Sequence, residues 1–160
     1  MNKFLELDNG KIVESKNSYH KDDILKIEKI ERTYFVDSWN IKQINSQFKN
    51  DDSLNFIIEN TGDIISYCLC KFNDEFIEIL KIATIRNYQK KGIASNLISN
   101  VYSFAVKNSL KKIYLEVRES NLIAIDLYKK KGFVVDGIRK KYYVRSNENA
   151  ILMSKNINYP

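Results

Sequence analysis

The sequence predicts an α/β fold with a mixed, mostly antiparallel sheet flanked by helices. Three observations carry that expectation. The chain has 160 residues, of which 44% are hydrophobic and 29% charged, a balance that suits a globular protein with a single core. Apolar residues recur at helical spacing or in extended runs, in the order helix, helix, three strands, helix, strand, helix, two strands. No repeat, low-complexity tract or linker interrupts that order, so residues 1–160 are expected to form one domain.

Residues 1–22 read as a poorly defined extension or hairpin. Leu5 to Leu7 and Ile12-Val13 flank Asp8-Asn9-Gly10, and Asn-Gly favours the tight turn that strand twist prefers. Asp22-Asp23 then precede Ile24, Ile27, Ile30 and Tyr34, an apolar stripe at helical spacing with carboxylates placed to cap its start. A helix is expected over residues 23–35. A shorter helix follows from Ile41 to Phe48, after the turn Asp37-Ser38-Trp39. Leu54 to Glu59, Ile64 to Phe72 and Glu75 to Ile85 form extended runs separated by polar turns, the pattern of an antiparallel meander. A helix from Gly92 to Asn108 leads into a short strand, Lys112 to Val117. The helical pattern of Asn121 to Lys131 ends at Gly132, and strands Phe133 to Tyr142 and Ala150 to Ser154 close the chain.

The segment Gln89-Lys90-Lys91-Gly92-Ile93-Ala94-Ser95 joins an extended run to a helix. The first N–H groups of a helix lack intrahelical partners and carry partial positive charge, so a loop delivering the chain there can cradle a pyrophosphate. Gly92 permits close backbone approach, and Arg86, Lys90 and Lys91 add cationic charge. A basic, exposed turn is the alternative. The segment lacks the Gly-Lys-Ser/Thr ending of a P-loop and the three glycines of a dinucleotide fold, which disfavours both.

Other chemistries find little support. Cys68 and Cys70 lie two apart on one expected strand face, and read as buried thiols rather than a disulfide. His20 is the only histidine, so neither a metal site nor a nucleophile-histidine pair is expected. No apolar stretch has the length of a signal core or a membrane span, and a cytoplasmic location is expected. The net charge of +6 would suit an acidic partner, but the lysines are scattered and no RNA-binding or helix-turn-helix motif is present. Direct nucleic-acid binding is therefore not expected.

The pattern Q-x-x-G-x-A at Gln89, Gly92 and Ala94 resembles the acetyl-coenzyme A signature of the GNAT acetyltransferases. Further matches follow in order: Leu115-Glu116-Val117-Arg118, Asn121, Ala124, Leu127-Tyr128, Lys131-Gly132-Phe133, Gly137-Ile138-Arg139, Tyr142-Tyr143 and Glu148 to Lys155. Together they resemble the bacterial ribosomal-protein alanine N-acetyltransferases, a GNAT subfamily, over residues 24–155. The resemblance implies a GNAT fold, in which a parallel strand pair splays apart, here Glu75–Ile85 and Lys112–Val117. It implies acetyl-coenzyme A as cosubstrate and a protein N-terminus, that of a ribosomal protein, as acceptor. The backbone of Ile82, Ala83 and Thr84 would pair with the pantetheine like an added strand.

Roles for side chains follow from the same resemblance. Glu116 would be the general base, and a modest one suffices because an N-terminal ammonium has a pKa of about 8. Pairing of Glu116 with Arg118 or a lysine is the structural alternative. Tyr128 would protonate the leaving thiolate, or simply pack in the core. Asn121 would contact the pantetheine, cap its helix, or both. Trp39, Tyr142 and Tyr143 would shape the acceptor side. Trp39 could also anchor the core, and alternation on a strand would turn one of the two tyrosines inward.

Overall fold

The computed structural model describes residues 3–6, 12–16 and 19–159. The expected element order is present. Two strands, β1 (Lys3–Glu6) and β2 (Ile12–Lys16), precede helices α1 (Lys21–Tyr34) and α2 (Ile41–Lys49). The meander follows as β3 (Ser53–Asn60), β4 (Asp63–Phe72) and β5 (Phe76–Thr84). Helix α3 (Ile93–Lys107), strand β6 (Lys112–Arg118), helix α4 (Leu122–Lys130) and strands β7 (Val134–Tyr143) and β8 (Glu148–Asn156) complete the chain. The strands form one sheet in the order β1-β2-β3-β4-β5-β6-β8-β7, antiparallel except for β5 and β6. The expected N-terminal hairpin pairs Leu5 with Val13; its turn at Asp8-Asn9-Gly10 lies outside the described residues.

Helices cover both faces of the sheet. On one, Ile24, Ile27 and Ile30 of α1 and Ile44 of α2 bury against Ile57, Tyr67 and Leu69. On the other, Leu97, Ile98, Val101 and Ala105 of α3 and Tyr128 of α4 pack on Ile77, Ile79, Ile113, Leu115 and Val117. Each fully buried Leu or Ile contributes about 1.5–3 kcal/mol, so these stripes fix which helix lies on which face. Cys68 and Cys70 are buried free thiols with their sulfurs 3.6 Å apart.

Local chemistry moves some boundaries. Helix α1 begins at Lys21, two residues earlier than expected, because Asp23 acts from inside the first turn and accepts the His20 N–H at 2.6 Å. In α2, Asn40 and Gln43 exchange the same reciprocal bonds at 3.0 Å. Buried Gln47 then ties α2 to the sheet by donating to Asn55 Oδ1 and the Cys70 carbonyl.

Two irregularities shape the sheet. Leu69 pairs with Lys81 while Cys70 pairs with Ile79, which leaves Leu80 as an extra residue in β5. Beside this bulge the parallel pairing stops: Ile79 opposite Leu115 is the last partnered position, and the two strands part beyond it. The far edge of β5 is therefore open from Leu80 onward.

Candidate active site

A cavity of about 790 Å³ opens where β5 and β6 part. Tyr34 at the end of α1, Phe35, Val36, Asp37 and Trp39 of the α1–α2 connection, Glu78 to Ile82 of β5, Glu116 to Arg118 of β6, Asn121 at the cap of α4, Ala124 and Tyr128 of α4, and residues 142–145 line it. The expected residues Glu116, Tyr128, Asn121, Ile82, Trp39, Tyr142 and Tyr143 thus share one cavity. Ala83, Thr84 and the loop from Gln89 to Ser95 do not line it; they continue from the end of β5.

Strand alternation sets the two sides of the gap. Leu115 and Val117 face the α3–α4 layer and pack with Tyr128, so Glu116 between them faces the opposite side. Its Oε1 accepts a hydrogen bond from Arg139 at 2.6 Å. The cation partner is thus Arg139, not Arg118 or a lysine. The Tyr142 hydroxyl also bonds to the Glu116 carboxylate, which adds to burial in holding that phenol above its ordinary value. Tyr128 is nearly buried, and burial pushes its phenol above the ordinary tyrosine value. Its hydroxyl makes no hydrogen bond among the described residues, so it is free to meet a group entering the cavity. Asn121 caps α4 by accepting the Ala124 N–H at 3.2 Å.

Tyr142 and Tyr143 both line the cavity, contrary to the expected alternation. Arg139 pairs with Ala150 and Tyr143 with Glu148, so residues 140–142 stand opposite Asn149 alone. Lys141 adopts φ +51° to accommodate the extra length. Asn149 stabilises the turn-out: its Oδ1 accepts the Lys141 N–H and its Nδ2 donates to Glu119. The two rings meet edge to face at 5.2 Å. Arg139 lies over the Tyr142 ring and Arg118 over Tyr143. Burial pushes the Tyr143 phenol up to about 12, with Arg118 opposing the rise.

Charged groups unforeseen in the sequence organise the rim. Glu31 is fully buried and accepts from Tyr67 Oη at 2.6 Å, the Trp39 N–H at 2.7 Å and Lys81 Nζ at 3.1 Å. Lys81 also donates to the Asp37 carbonyl and lies 4.2 Å from the Phe35 ring centre. The Trp39 backbone is thereby pinned to α1, while its ring packs partly buried beside the α1–α2 core. Arg118 joins three segments by pairing with Asp37 and Glu148 and stacking on Tyr143. Glu78 also lines the cavity. Burial and the nearby Glu116 carboxylate hold its carboxyl above the ordinary range.

The loop after β5 is tied back to the sheet. A short 3-10 turn, Arg86–Tyr88, precedes it; Gln89 Nε2 donates to the Thr84 carbonyl at 2.9 Å, and Asn60 bonds the Tyr88 hydroxyl. That bond occupies part of the Thr84 backbone, which was expected to be open, and the Ala83 carbonyl accepts from Ser66 Oγ. Lys91 turns back to the Asn87 carbonyl, whereas Lys90 is exposed. Gly92 caps α3 in the left-handed region at φ +78°, and the first helical bond runs from the Asn96 N–H to the Gly92 carbonyl. The N–H groups of Ile93, Ala94 and Ser95 precede that ladder, as an anion-binding helix start requires.

Comparison with known proteins accords with this geometry. Residues 24–133 match the acetyltransferase (GNAT) family. A ribosomal protein bS18-alanine N-acetyltransferase of Escherichia coli is 28% identical over 127 residues, covering 78% of this chain and 85% of that protein. The crystal structure of the Escherichia coli ribosomal-protein-S18-alanine N-acetyltransferase superposes with a TM-score of 0.83 at 26% identity, covering 92% of this chain and 96% of the other. Arabidopsis thaliana NAA60 in complex with acetyl-CoA shares the fold, with a TM-score of 0.81 at 19% identity over 92% of this chain and 99% of that one.

Proposed function

The chain belongs to the acetyltransferase (GNAT) family, and on that premise we propose that it acetylates a protein N-terminal α-amine, that of a ribosomal protein beginning with alanine. The observation that carries this reading is the parting of β5 and β6, with Glu116 facing one side of the gap and Tyr128 the other. The donor is acetyl-coenzyme A, whose thioester supplies an activated acetyl group.

The residues present fit that donor. Backbone N–H groups at the start of α3, with Lys90 beside them, suit a pyrophosphate, and the open edge of β5 near Ile82 suits an extended pantetheine. Asn121 and Tyr128 border the inner end of that path. On the acceptor side, Trp39, Tyr142 and Tyr143 supply aromatic walls that suit a peptide terminus.

The chain's own groups then divide the proton transfers. Glu116, held at the cavity wall by Arg139 and facing the Tyr142 hydroxyl, takes a proton leaving the attacking nitrogen, directly or through water. Tyr128, kept protonated by burial, donates to the departing sulfur. No enzyme nucleophile is needed, so transfer is direct from donor to amine within a ternary complex. The described residues contain no helix long and apolar enough to cross a membrane, and a ribosomal acceptor would place the enzyme in the cytoplasm.

A peptide panel tests the reading. The protein and acetyl-coenzyme A are incubated with peptides beginning with alanine, peptides carrying only an internal lysine amine, and polyamines. The α-amine of the alanine peptides should be acetylated fastest. Faster acetylation of lysine side chains or polyamines would overturn the assignment.

A further inference from the structure

A base must be aimed as well as present. Glu116 stands one position beyond the last β5–β6 pair, Ile79 opposite Leu115, so the gap between the strands lies on one side of it. On its other side β8 presents Leu152, whose side chain has no polar group to offer. A glutamate with free rotamers would sweep the mouth of the gap instead of facing one point in it. What holds it comes from a strand that is not its neighbour.

The register explains how. On this face of the sheet, Glu116, Leu152 and Gly137 form one row across β6, β8 and β7, and Arg118, Ala150 and Arg139 form the next. Gly137 has no side chain and Ala150 only a methyl group, so Arg139 has room to reach diagonally back across β8 and donate to Glu116 Oε1 at 2.6 Å. Arg118 is no substitute, because it is already paired with Asp37 and Glu148 and stacked on the Tyr143 ring. The two arginines of one row thus serve different partners.

Arg139 makes two contacts at once. Its guanidinium carbon lies 4.3 Å from the centre of the Tyr142 ring, and the Tyr142 hydroxyl bonds to the same Glu116 carboxylate. Base, cation and acceptor-side aromatic therefore close into one triangle. A planar guanidinium can stack and donate together, whereas a lysine ammonium supplies the charge without the fork. The Arg139 side chain is about half-exposed and belongs to neither core, so its removal leaves both cores intact.

We propose that Arg139 is a positioning residue for acetyl transfer, which aims the Glu116 carboxylate at the acceptor amine and fixes Tyr142 against it. It exchanges no proton itself. Its effect passes through Glu116 and Tyr142.

The assignment rests on the proposed amine acetylation, and the test keeps the two apart. Steady-state kinetics with the best acceptor from the peptide and polyamine panel are measured for the wild type, Arg139→Ala, Arg139→Lys, Glu116→Gln and the double variant Glu116→Gln/Arg139→Ala. Arg139→Ala should lower kcat by about tenfold, the worth of one charge-assisted hydrogen bond, and change the acceptor KM by less. Acetyl-coenzyme A affinity and melting temperature should stay near wild type. Millimolar guanidinium ion, too dilute to unfold a protein, should restore much of the lost kcat and leave the wild type unchanged. Arg139→Lys should retain part of the activity. In the Glu116→Gln background, Arg139→Ala should lower kcat no further, since the group it aims is gone. Wild-type kcat in Arg139→Ala would overturn the assignment and leave the function standing. So would a loss that adds in full to that of Glu116→Gln, the mark of a merely structural role. A wild type that acetylates no amine would overturn both.

Discussion

Glu116 and Arg139 are bonded at 2.6 Å although their strands are not neighbours, because β8 lies between β6 and β7. The contact joins the cavity-lining face of β6 to the bulged strand that carries Tyr142 and Tyr143. Loss of either partner should therefore be felt on the acceptor side before the donor side.

Glu116→Gln and Tyr128→Phe should each lower kcat by about a hundredfold, the usual worth of a positioned acid or base. Acetyl-coenzyme A binding, measured by calorimetry, should stay near wild type. Wild-type turnover in both variants would show that the proton-transfer roles belong to other groups.

The Glu31–Lys81 pair should matter for stability more than its surface counterparts. Glu31 is fully buried and Lys81 nearly so. Glu31→Ala would strand the ammonium and leave the Tyr67 hydroxyl and the Trp39 N–H unbonded, at a cost of about 3–5 kcal/mol in urea unfolding. Lys111 and Glu75 pair at 2.5 Å on the surface, where solvent screens the pair, and Glu75→Ala should have a much smaller effect.

Glu78 should oppose folding at neutral pH. Its carboxyl titrates higher in the folded protein than in the unfolded chain, so the native state binds more protons and loses stability as pH rises through the folded value. Glu78→Gln should therefore raise the melting temperature at pH 7, and the gain should vanish below the unfolded carboxylate range near 4.5. Thermal melts of both proteins across pH would reveal a uniform gain if packing, rather than ionisation, were responsible.

The donor loop should depend on two local ties. Gly92→Ala forces a side chain into the left-handed region, costing about 1–2 kcal/mol at the start of α3. Gln89→Ala frees the loop from the Thr84 carbonyl. Both should weaken acetyl-coenzyme A binding, by about tenfold for Gly92→Ala, and leave the acceptor KM largely unchanged. The reverse ranking would place the anion cradle elsewhere.

The elements were legible because their apolar periods are clean. Ile24, Ile27 and Ile30 mark α1, and Ile113, Leu115 and Val117 mark a strand that turns Glu116 to the opposite face. The roles of Glu116 and Tyr128 were suggested only by the resemblance to the GNAT acetyltransferases, since a strand carboxylate and a helix tyrosine at this spacing also read as an ion pair and a core residue. What stayed hidden depends on long-range contacts. Glu31 and Lys81 lie 50 positions apart and each reads as an ordinary surface charge until the fold buries them together. The outward turn of both tyrosines depends on Asn149 and Glu119 holding a bulge, which strand alternation does not encode. Glu78 was missed for a related reason: the exposed half of an alternating strand gives no sign that another strand will wall it in.

The central claim is transfer of an acetyl group to the α-amine of a ribosomal-protein N-terminus. Its most direct test is intact-mass spectrometry of ribosomal proteins from cells with and without this gene, followed by sequencing of any shifted N-terminus. The account predicts that one protein beginning with alanine loses a single α-amino acetyl group in the deletion and regains it when the wild-type gene, but not Glu116→Gln, is restored. Identical N-terminal masses in the two strains would contradict it.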